Sequence, residues 1–371
     1  ENLLLKMTLK REIVLFGSGT PRTGGSLVSN LLSTRNDFLM TTDLLHFFRF
    51  IYKKYSPLNL KNKKLLVSEL CLRLKYRFKI NLKIEILYNK IRYAKNYVEI
   101  FFFIISELKK KVNKSHYGEF ANSEWRNIGS FLNLDKRFKA FQLIRDPRAV
   151  LVSFKKITFE KNLKYINVLL SWIDSMRYLK KNKKIYSSKR FLVIKFEDIH
   201  KNPKKISKKL SSFLNIPFDK NMIDEKLWPK LLKNNIYQVN ISSFNKKKIF
   251  GFSEKRTSNW KEKILRWELA LAQDLTGPYL KEFGYKKIKV KEKDLKEAYN
   301  ILSKDKKLLK KIRNFKKNKK ISNKKLRDPS NPKNWSATNF KKYPNKMFVD
   351  TPDFKKYLKD FRNIKETIKT L

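Results

Sequence analysis

The amino-acid sequence predicts an α/β fold in which a parallel sheet is flanked by helices. Three short, mostly apolar runs, at residues 13–16, 140–144 and 191–194, are each followed by a short loop or corner and then by a helix. Runs of this length are typical of buried strands, and repeated strand-then-helix units build parallel sheets through right-handed crossovers. The 371 residues are enough for one large domain with extensions, or for two domains.

The first unit joins its strand to its helix through the glycine-rich stretch GSGTPRTGGSLVSN, residues 17–30. Gly24 and Gly25 allow main-chain N–H groups to approach a ligand closely. The helix that follows presents unpaired N–H donors and the positive end of its dipole, which together favour phosphate or sulfate. A plain glycine turn between two elements is the alternative. The loop lacks the lysine of a nucleotide triphosphatase loop.

The second unit reads RDPRAVLVSF, beginning at Arg145. Asp146 at the N-cap and Pro147 at the first helical position mark the start of the helix. Ser153 lies eight residues after Arg145, about two helical turns in, so both side chains can face one anion. The alternative is an ion pair between Arg145 or Arg148 and Asp146.

Two segments add to this core. Residues 44–112 carry apolar side chains at spacings of three and four and predict an inserted helical cap. Residues 286–340 contain 20 Lys and Arg against 5 Asp and Glu. We therefore expect a main domain over residues 1–285 and a basic, solvated, partly helical extension over residues 286–371.

The formal net charge of +55 comes from 88 Lys and Arg against 33 Asp and Glu. Such an excess suits a polyanion such as nucleic acid, an acidic glycan or anionic lipid, so a nucleic-acid-binding protein is one alternative function. Lys, Asn, Ile, Phe and Tyr are over-used along the whole chain, however, as in an AT-rich genome. The dispersed lysines predict no specific nucleic-acid partner, and at most a peripheral contact of the basic extension with an anionic surface.

Cysteine usage and hydropathy bear on the compartment. Cys71 is the only cysteine, so an intrachain disulfide and a cysteine-based zinc site are excluded. Apolar runs such as residues 100–105 are far shorter than the ~20 residues that cross a bilayer. We expect a cytoplasmic protein.

Four phrases together form a more specific pattern than any one of them: PRTGGSL, RDPRAVLVSF, KFEDIHKNP and NWKEKI. This set resembles the sulfotransferases that use 3′-phosphoadenosine 5′-phosphosulfate (PAPS), especially their bacterial branch, over roughly residues 11–285. The resemblance implies the P-loop-like α/β sulfotransferase core and no metal. It implies transfer of a sulfuryl group from PAPS to a hydroxyl or amine, with a carbohydrate or glycolipid as the expected acceptor.

The resemblance also implies a donor site built from three segments. The loop expected to wrap the 5′-phosphosulfate comprises Pro21, Arg22, Thr23, Gly24, Gly25, Ser26 and Leu27. Arg145 and Ser153 match the arginine and serine that bind the 3′-phosphate. Arg256 lies in a basic loop before Trp260 that would close over the nucleotide. Phe196 stands where many members carry a tyrosine near the adenine.

The general base is the least defined part of the pattern. Many bacterial and glycan-acting members place a carboxylate shortly after the first helix, where Asp43 stands here. Asp43 is therefore the first candidate, and the alternative is that it caps a helix at Leu44. Glu119, which matches a family glutamate, and His116 are the alternative bases.

Phe120 and Ala121 depart from the family pattern, which usually has lysine and threonine there. The departure removes a cation from the pocket and supports a further alternative: an inactive or repurposed member that binds an acidic glycan. The carboxylate pair Glu197 and Asp198 is expected to brace the core rather than act in catalysis. His200 is expected to be a surface residue.

Overall fold

Five parallel strands form the centre of the computed structural model, which describes residues 12–157, 162–228 and 251–318, and residues 356–366 apart from 358 and 361. Their order in the sheet is β2-β3-β1-β4-β5. The strands are β1 (Val14–Gly19), β2 (Phe38–Thr42), β3 (His116–Asn122), β4 (Lys139–Ile144) and β5 (Phe191–Lys195). The predicted α/β class with a parallel sheet is confirmed, and β1, β4 and β5 are the three predicted strands.

Helices connect the strands. Those on the N-terminal side of β3 are α1 (Gly25–Ser33), α2 (Phe47–Phe50), α3 (Leu60–Phe78), α4 (Ile84–Ile91) and α5 (Tyr97–Lys111). Those that follow are α6 (Ile128–Leu132), α7 (Pro147–Ile157), α8 (Asn167–Ile185), α9 (Phe196–Lys201), α10 (Pro203–Leu214), α11 (Lys255–Ser258), α12 (Arg266–Glu282), α13 (Glu292–Ser303) and α14 (Lys306–Asn318). Short 3₁₀ turns precede α6 and α8.

The sheet buries both of its faces, because successive side chains of a strand point to opposite sides. In β1, Val14 and Phe16 pack in the cluster with α3 and α5, whereas Leu15 packs with α1 and α10 on the other face. Every residue of β1 is buried. This two-sided burial explains why the strand is a continuous apolar run rather than an alternating one.

Four helices, α2 to α5, lie between β2 and β3, in the interval for which the sequence predicts helices. Asn59 caps α3 and Asn96 caps α5, each by accepting hydrogen bonds from main-chain N–H groups of the first turn. Ile100, Phe101 and Ile104 of α5 are buried in the cluster that also holds Phe16 of β1. These helices are thus packed on the sheet that carries the loop after β1.

The two helices after residue 286 share a core with the preceding ones. Leu302 of α13 and Ile312 of α14 are fully buried, in one cluster with Trp172 of α8 and Leu271 of α12. Their lysines lie on the opposite, exposed faces. Near the C-terminus, Tyr357 is buried and its ring makes an edge contact with Tyr76 of α3.

The strands end level with one another at their carboxyl edge. Gly19 of β1 is in register with Asn122 of β3 and with Leu143 of β4. After β1 the chain forms β2 and β3 on one side of it, and then crosses to form β4 and β5 on the other side. The carboxyl end of β1 is therefore the topological switch point, which is where open α/β sheets bind their ligands. Within the described residues, no helix is both long enough and apolar enough to span a bilayer.

Candidate functional site

The loop after β1 is a tight turn that leads directly into α1. Thr23 Oγ1 donates to the main-chain oxygen of Thr20 at 2.8 Å, and both threonines are buried. Arg22 and Gly24 have the left-handed φ angles 73° and 99°. Gly24 is the N-cap of α1 and offers no side-chain cap, so the first N–H groups of this nine-residue helix are left for an outside acceptor.

Gly24 and Gly25 are required by close packing beneath the loop. A Cβ atom on Gly24 would lie 2.6 Å from Cδ2 of Phe196, and one on Gly25 would lie 2.1 Å from Cδ1 of Phe120. Phe120, one of the two departures from the family pattern, therefore supports the loop from below. Of the other predicted loop residues, Leu27 is buried and Pro21 and Ser26 are partly exposed.

Arg145, at the end of β4, reaches the loop after β1. Its Nη1 donates to the main-chain oxygen of Arg22 at 2.9 Å, and its Nη2 donates to the main-chain oxygen of Arg256 at 3.1 Å. Its guanidinium carbon lies 3.9 Å from the centroid of the Phe196 ring. Arg145 therefore joins the three segments that the sequence assigns to the donor site.

Ser153 lies on α7 and meets the same loop. Arg22 Nε donates to Ser153 Oγ at 2.9 Å, although 131 residues separate the two along the chain. The predicted spacing of Arg145 and Ser153 therefore brings both residues to Arg22. The Arg22 side chain therefore spans the distance from the loop after β1 to α7, and the space between the loop and the corner at Arg145 is not empty.

Arg22 and Arg145 are not bonded to any carboxylate of the described residues, although Glu197 and Asp146 lie near enough to favour the charge of Arg145. In the described part of the chain, neither guanidinium forms a salt bridge with a carboxylate, and Arg145 Nε is buried without a hydrogen-bond partner. Burial lowers the pKa of Arg22, and burial together with the charge of Arg22 lowers the pKa of Arg145 to about 10. Two buried cations whose charges oppose one another form a site that an anion would stabilise.

Arg148, not Arg145, pairs with Asp146. Arg148 donates from Nε and Nη2 to the two carboxylate oxygens at 2.9 and 2.7 Å, and both side chains are buried. The Arg148 guanidinium also stacks over Trp260, 4.5 Å from the ring centroid. The ion-pair alternative is therefore realised for Arg148 alone, and Arg145 remains available to a ligand.

Glu197 holds the corner at Asp146 in place. Its Oε1 accepts from the Asp146 N–H at 2.9 Å, and its Oε2 accepts from Tyr285 Oη at 3.2 Å. Burial raises the pKa of Glu197. The contacts are those of a bracing residue.

His200 is not a surface residue, contrary to the sequence-based expectation. It is only 4% exposed, and its ring packs against Phe196 at 4.5 Å between centroids. Its Nδ1 accepts from the Ser253 N–H at 3.1 Å. Burial, together with the charges of Arg256 and Arg145, lowers the pKa of His200 to about 4, so the ring is neutral at pH 7.

Asp43 follows β2 at the same edge of the sheet. Its Oδ1 accepts from the Asn122 N–H at 2.7 Å, and its Oδ2 accepts from Asn122 Nδ2 at 2.5 Å. The alternative of a helix cap does not hold, since α2 begins at Phe47 with His46 at its N-cap. Asp43 instead fixes the end of β3, the strand directly beside β1.

The two alternative bases occupy different places. Glu119 is buried in β3, and its Oε1 accepts from the N–H groups of Leu45 and His46 at 2.6 and 3.0 Å. His116 begins β3 and accepts from the Ile13 N–H, so it lies at the amino edge of the sheet. A seven-residue strand, roughly 20 Å long, separates it from the loop, and the structure does not bring His116 into the site.

Residues that the sequence did not single out complete the edge around Asp43. His46 Nε2 lies 3.2 Å from Asp43 Oδ1, and His46 Nδ1 lies 2.5 Å from Glu124 Oε1. Glu124 follows β3, and its main-chain N–H donates to Ser18 Oγ of β1 at 3.0 Å. In sequence, only the closeness of His46 to Asp43 hinted at this group.

A family model matches this part of the chain. The model of the Sulfotransferase family covers residues 15–220, which include all of β1 except Val14, the loop after it, Asp43, Arg145 and Ser153. No curated protein shows significant similarity to the chain.

Solved structures of sulfotransferases resemble the fold. The sulfotransferase domain of the olefin synthase from Synechococcus PCC 7002 aligns with a TM-score of 0.50 and 17% identity, over 74% of this chain and 95% of that domain. The sulfotransferase domain of the curacin biosynthetic pathway has a TM-score of 0.46 and 16% identity, over 74% of this chain and 98% of that domain. At these identities the likeness concerns the fold.

Proposed function

Because the chain belongs to the sulfotransferase family, we propose that it transfers a sulfuryl group from PAPS to a hydroxyl or amine acceptor. The observation that carries this proposal is the contact between Arg22 and Arg145 at the carboxyl edge of the sheet. Two partly buried guanidinium groups without carboxylate partners in the described residues, beside a free helix N-terminus, suit a ligand with more than one negative group.

The residues present fit the two anionic ends of PAPS. Arg145 and Ser153 would hold the 3′-phosphate, and the orphaned Nε of Arg145 supplies an unused donor. Ser153 Oγ already accepts from Arg22, so its own hydroxyl hydrogen is left to donate to a phosphate oxygen. The N–H groups at the start of α1 would hold the 5′-phosphosulfate.

PAPS supplies an activated sulfuryl group whose leaving group is 3′-phosphoadenosine 5′-phosphate. Arg22 and the main-chain N–H groups at Gly25 and Ser26 would stabilise the negative charge that develops on the transferring and leaving oxygens. Asp43 would accept the proton of the attacking hydroxyl. Burial opposes ionisation of Asp43, but His46 and the hydrogen bonds from Asn122 lower its pKa overall, so the carboxylate is ionised and available as a proton acceptor.

A carbohydrate or glycolipid hydroxyl is the acceptor class we propose. Asp43 begins the segment that leads into α2 to α5, so the acceptor would enter between these helices and the loop after β1. The proposal rests on the family resemblance of the bacterial members and on this placement. A panel of oligosaccharides, glycolipids, phenols and amines, assayed for release of 3′-phosphoadenosine 5′-phosphate, tests the class.

The donor assignment is tested by calorimetric titration with 3′-phosphoadenosine 5′-phosphate and with AMP. Wild-type protein should bind the bisphosphate at least 10-fold more tightly, because charge-assisted hydrogen bonds to the 3′-phosphate contribute about 1.5–3 kcal/mol. Arg145→Ala should remove most of this preference. Arg313→Ala, which deletes an exposed arginine of α14, is the matched control and should keep it.

Equal, weak binding of both nucleotides by the wild-type protein would contradict the donor assignment. Binding that falls steeply with salt and ignores the 3′-phosphate would instead favour the polyanion-binding alternatives. Binding of the bisphosphate without turnover of any acceptor would favour the inactive family member.

A further inference from the structure

A buried histidine lies between two carboxylates beside the proposed acceptor position. His46 is 2% exposed, with Asp43 Oδ1 at 3.2 Å from Nε2 and Glu124 Oε1 at 2.5 Å from Nδ1. A carboxylate accepts hydrogen bonds and cannot donate them when ionised. A carboxylate beside each ring nitrogen favours a hydrogen on both, and therefore the imidazolium form of His46.

The turn that carries His46 is held by several hydrogen bonds. Asp43 and His46 have the left-handed φ angles 56° and 46°, which non-glycine residues adopt only where the surroundings require them. Glu119 Oε1 accepts from the N–H groups of Leu45 and His46, and Arg73 Nη2 donates to the Leu45 oxygen at 2.6 Å. Contacts from β3 and α3 therefore set where the His46 ring lies.

The charged groups that face His46 come from every neighbouring element. Asp43 precedes it, Arg49 follows on α2, Glu119 belongs to β3 and Glu124 to the turn after β3. Arg49 opposes the imidazolium charge and lies 3.8 Å from Glu124. The two carboxylates outweigh burial and Arg49, and the pKa of His46 is raised to about 10.

We propose that His46 and Glu124 form a positioning pair that keeps Asp43 ionised and oriented to accept the proton of the attacking hydroxyl. This inference rests on the proposed function. Glu124 fixes the ring through Nδ1, and the other ring nitrogen, Nε2, lies 3.2 Å from Asp43 Oδ1. Neither His46 nor Glu124 would touch the reacting atoms, and both would act through Asp43.

The pair would support removal of the acceptor proton during sulfuryl transfer. The acceptor oxygen forms a bond to sulfur while the bond from sulfur to the bridging 5′-phosphate oxygen breaks. The acceptor proton passes to Asp43, which later releases it to solvent, and 3′-phosphoadenosine 5′-phosphate departs with the electron pair of the broken bond. A carboxylate held ionised by a fixed cation is ready for this step over a wide pH range.

The first experiment measures the pH dependence of PAPS turnover with water as the acceptor, which needs no knowledge of the natural acceptor. In His46→Gln the acid limb of kcat should move up by about one pH unit or more, because loss of a nearby cation raises the pKa of Asp43. Glu124→Gln should move it in the same direction. His116→Gln, at the opposite edge of the sheet, is the matched control and should leave the profile in place.

The second experiment observes the ring directly by nitrogen NMR of histidine-labelled protein. The chain has 3 histidines, so the three imidazoles can be assigned with single variants. His46 should remain doubly protonated at pH 8 in the wild-type protein, whereas His200 should be neutral. In Glu124→Gln the His46 signal should titrate at a lower pH.

These measurements distinguish failure of the positioning pair from failure of the proposed function. A wild-type protein that does not prefer the 3′-phosphorylated nucleotide overturns the donor assignment and, with it, the role of the pair. A wild-type protein that turns over PAPS, while folded His46→Gln and Glu124→Gln retain its pH profile, overturns the pair alone. A neutral His46 ring at pH 7 also overturns it, even if neither variant folds.

Discussion

The guanidinium of Arg145 donates to the main-chain oxygen of Arg22 at 2.9 Å, across 123 residues of chain. Each residue follows a different strand, and β1 and β4 are neighbours in the sheet. The loop after β1 is thus tied to the corner after β4 by a charged group that also reaches Arg256. Perturbing one of these segments is expected to alter ligand binding at the others.

Ser153→Ala tests the link from α7 to the loop. The substitution removes the acceptor of Arg22 Nε and one donor to a bound 3′-phosphate. We expect affinity for 3′-phosphoadenosine 5′-phosphate to fall by about 10-fold, which corresponds to one net hydrogen bond, while affinity for AMP changes little. Calorimetry measures both, with exposed Ser212→Ala of α10 as the control. An equal loss for the two nucleotides would contradict a specific contact with the 3′-phosphate.

Gly25→Ala tests the packing beneath the loop. The new methyl group would meet the Phe120 ring at 2.1 Å, so we expect a loss of about 1–3 kcal/mol in the free energy of unfolding, measured by denaturant titration. Phe120→Leu in the same chain should restore part of it. Gly277→Ala in α12 is the control, since its methyl group would meet only the flexible end of Lys287 at 3.3 Å. Equal stability of Gly25→Ala and wild type would refute the clash.

Loss of the proton from His46 should lower the free energy of unfolding as pH rises. Its pKa is raised from 6.5 to about 10 in the folded chain, because Asp43 and Glu124 favour the imidazolium. The stability it contributes is therefore fully present below pH 6.5 and is lost as pH rises through about 10. The free energy of unfolding, measured from pH 6 to 10, should fall more in wild type than in His46→Gln. Parallel curves would show that His46 does not titrate as described.

Because the folded protein keeps His200 neutral, the free energy of unfolding should fall as pH falls. Its folded-state pKa is lowered from 6.5 to about 4, mainly by burial, so the unfolded chain binds a proton that the folded chain excludes. Stability should therefore decline between pH 6.5 and 4. His200→Asn keeps an acceptor for the Ser253 N–H and removes the titration, so its decline should be smaller. Melting temperatures across this range provide the measurement, and identical acid sensitivity would contradict it.

The C-terminal contact on α3 should contribute to stability. Tyr357 is 3% exposed and packs on Tyr76, whose hydroxyl donates to Asp360 at 2.5 Å. Tyr357→Ala should lower the free energy of unfolding by about 3 kcal/mol, as for other large buried side chains. The exposed neighbour Lys356→Ala should change it by less than about 0.5 kcal/mol. A Tyr357 variant as stable as this control would show that the segment does not dock there.

The three strands that the sequence predicts are mostly apolar, whereas β3, which it misses, carries polar side chains. β1, β4 and β5 stand out because both faces of the sheet are covered. β3 contains His116, Gly118 and Glu119, and its carboxylate is tolerated in the core only because N–H groups of the turn after β2 satisfy it. That compensation comes from more than 70 residues away and leaves no local pattern.

In the site, too, contacts between residues close in sequence are easier to predict than contacts between distant ones. The closeness of Arg145 and Ser153 is predictable, because Arg145 directly precedes α7 and Ser153 lies about two helical turns after it. His46 and Glu124 are 78 residues apart, so their contact depends on the path of the chain through α2 to α5. The burial of His200 likewise depends on the segment around Ser253, which the sequence near the histidine does not indicate.

The inserted helices and the loops after β1 and β4 come from different intervals of the chain. Helices α2 to α5 are inserted between β2 and β3, while the loops that we propose face the nucleotide follow β1 and β4. Lengthening or exchanging the inserted helices would leave the anchoring loops where they are, provided that the turn at Asp43 is kept. If the proposed donor site is correct, changes confined to the sequence between β2 and β3 could therefore alter which acceptor is used while donor binding is kept.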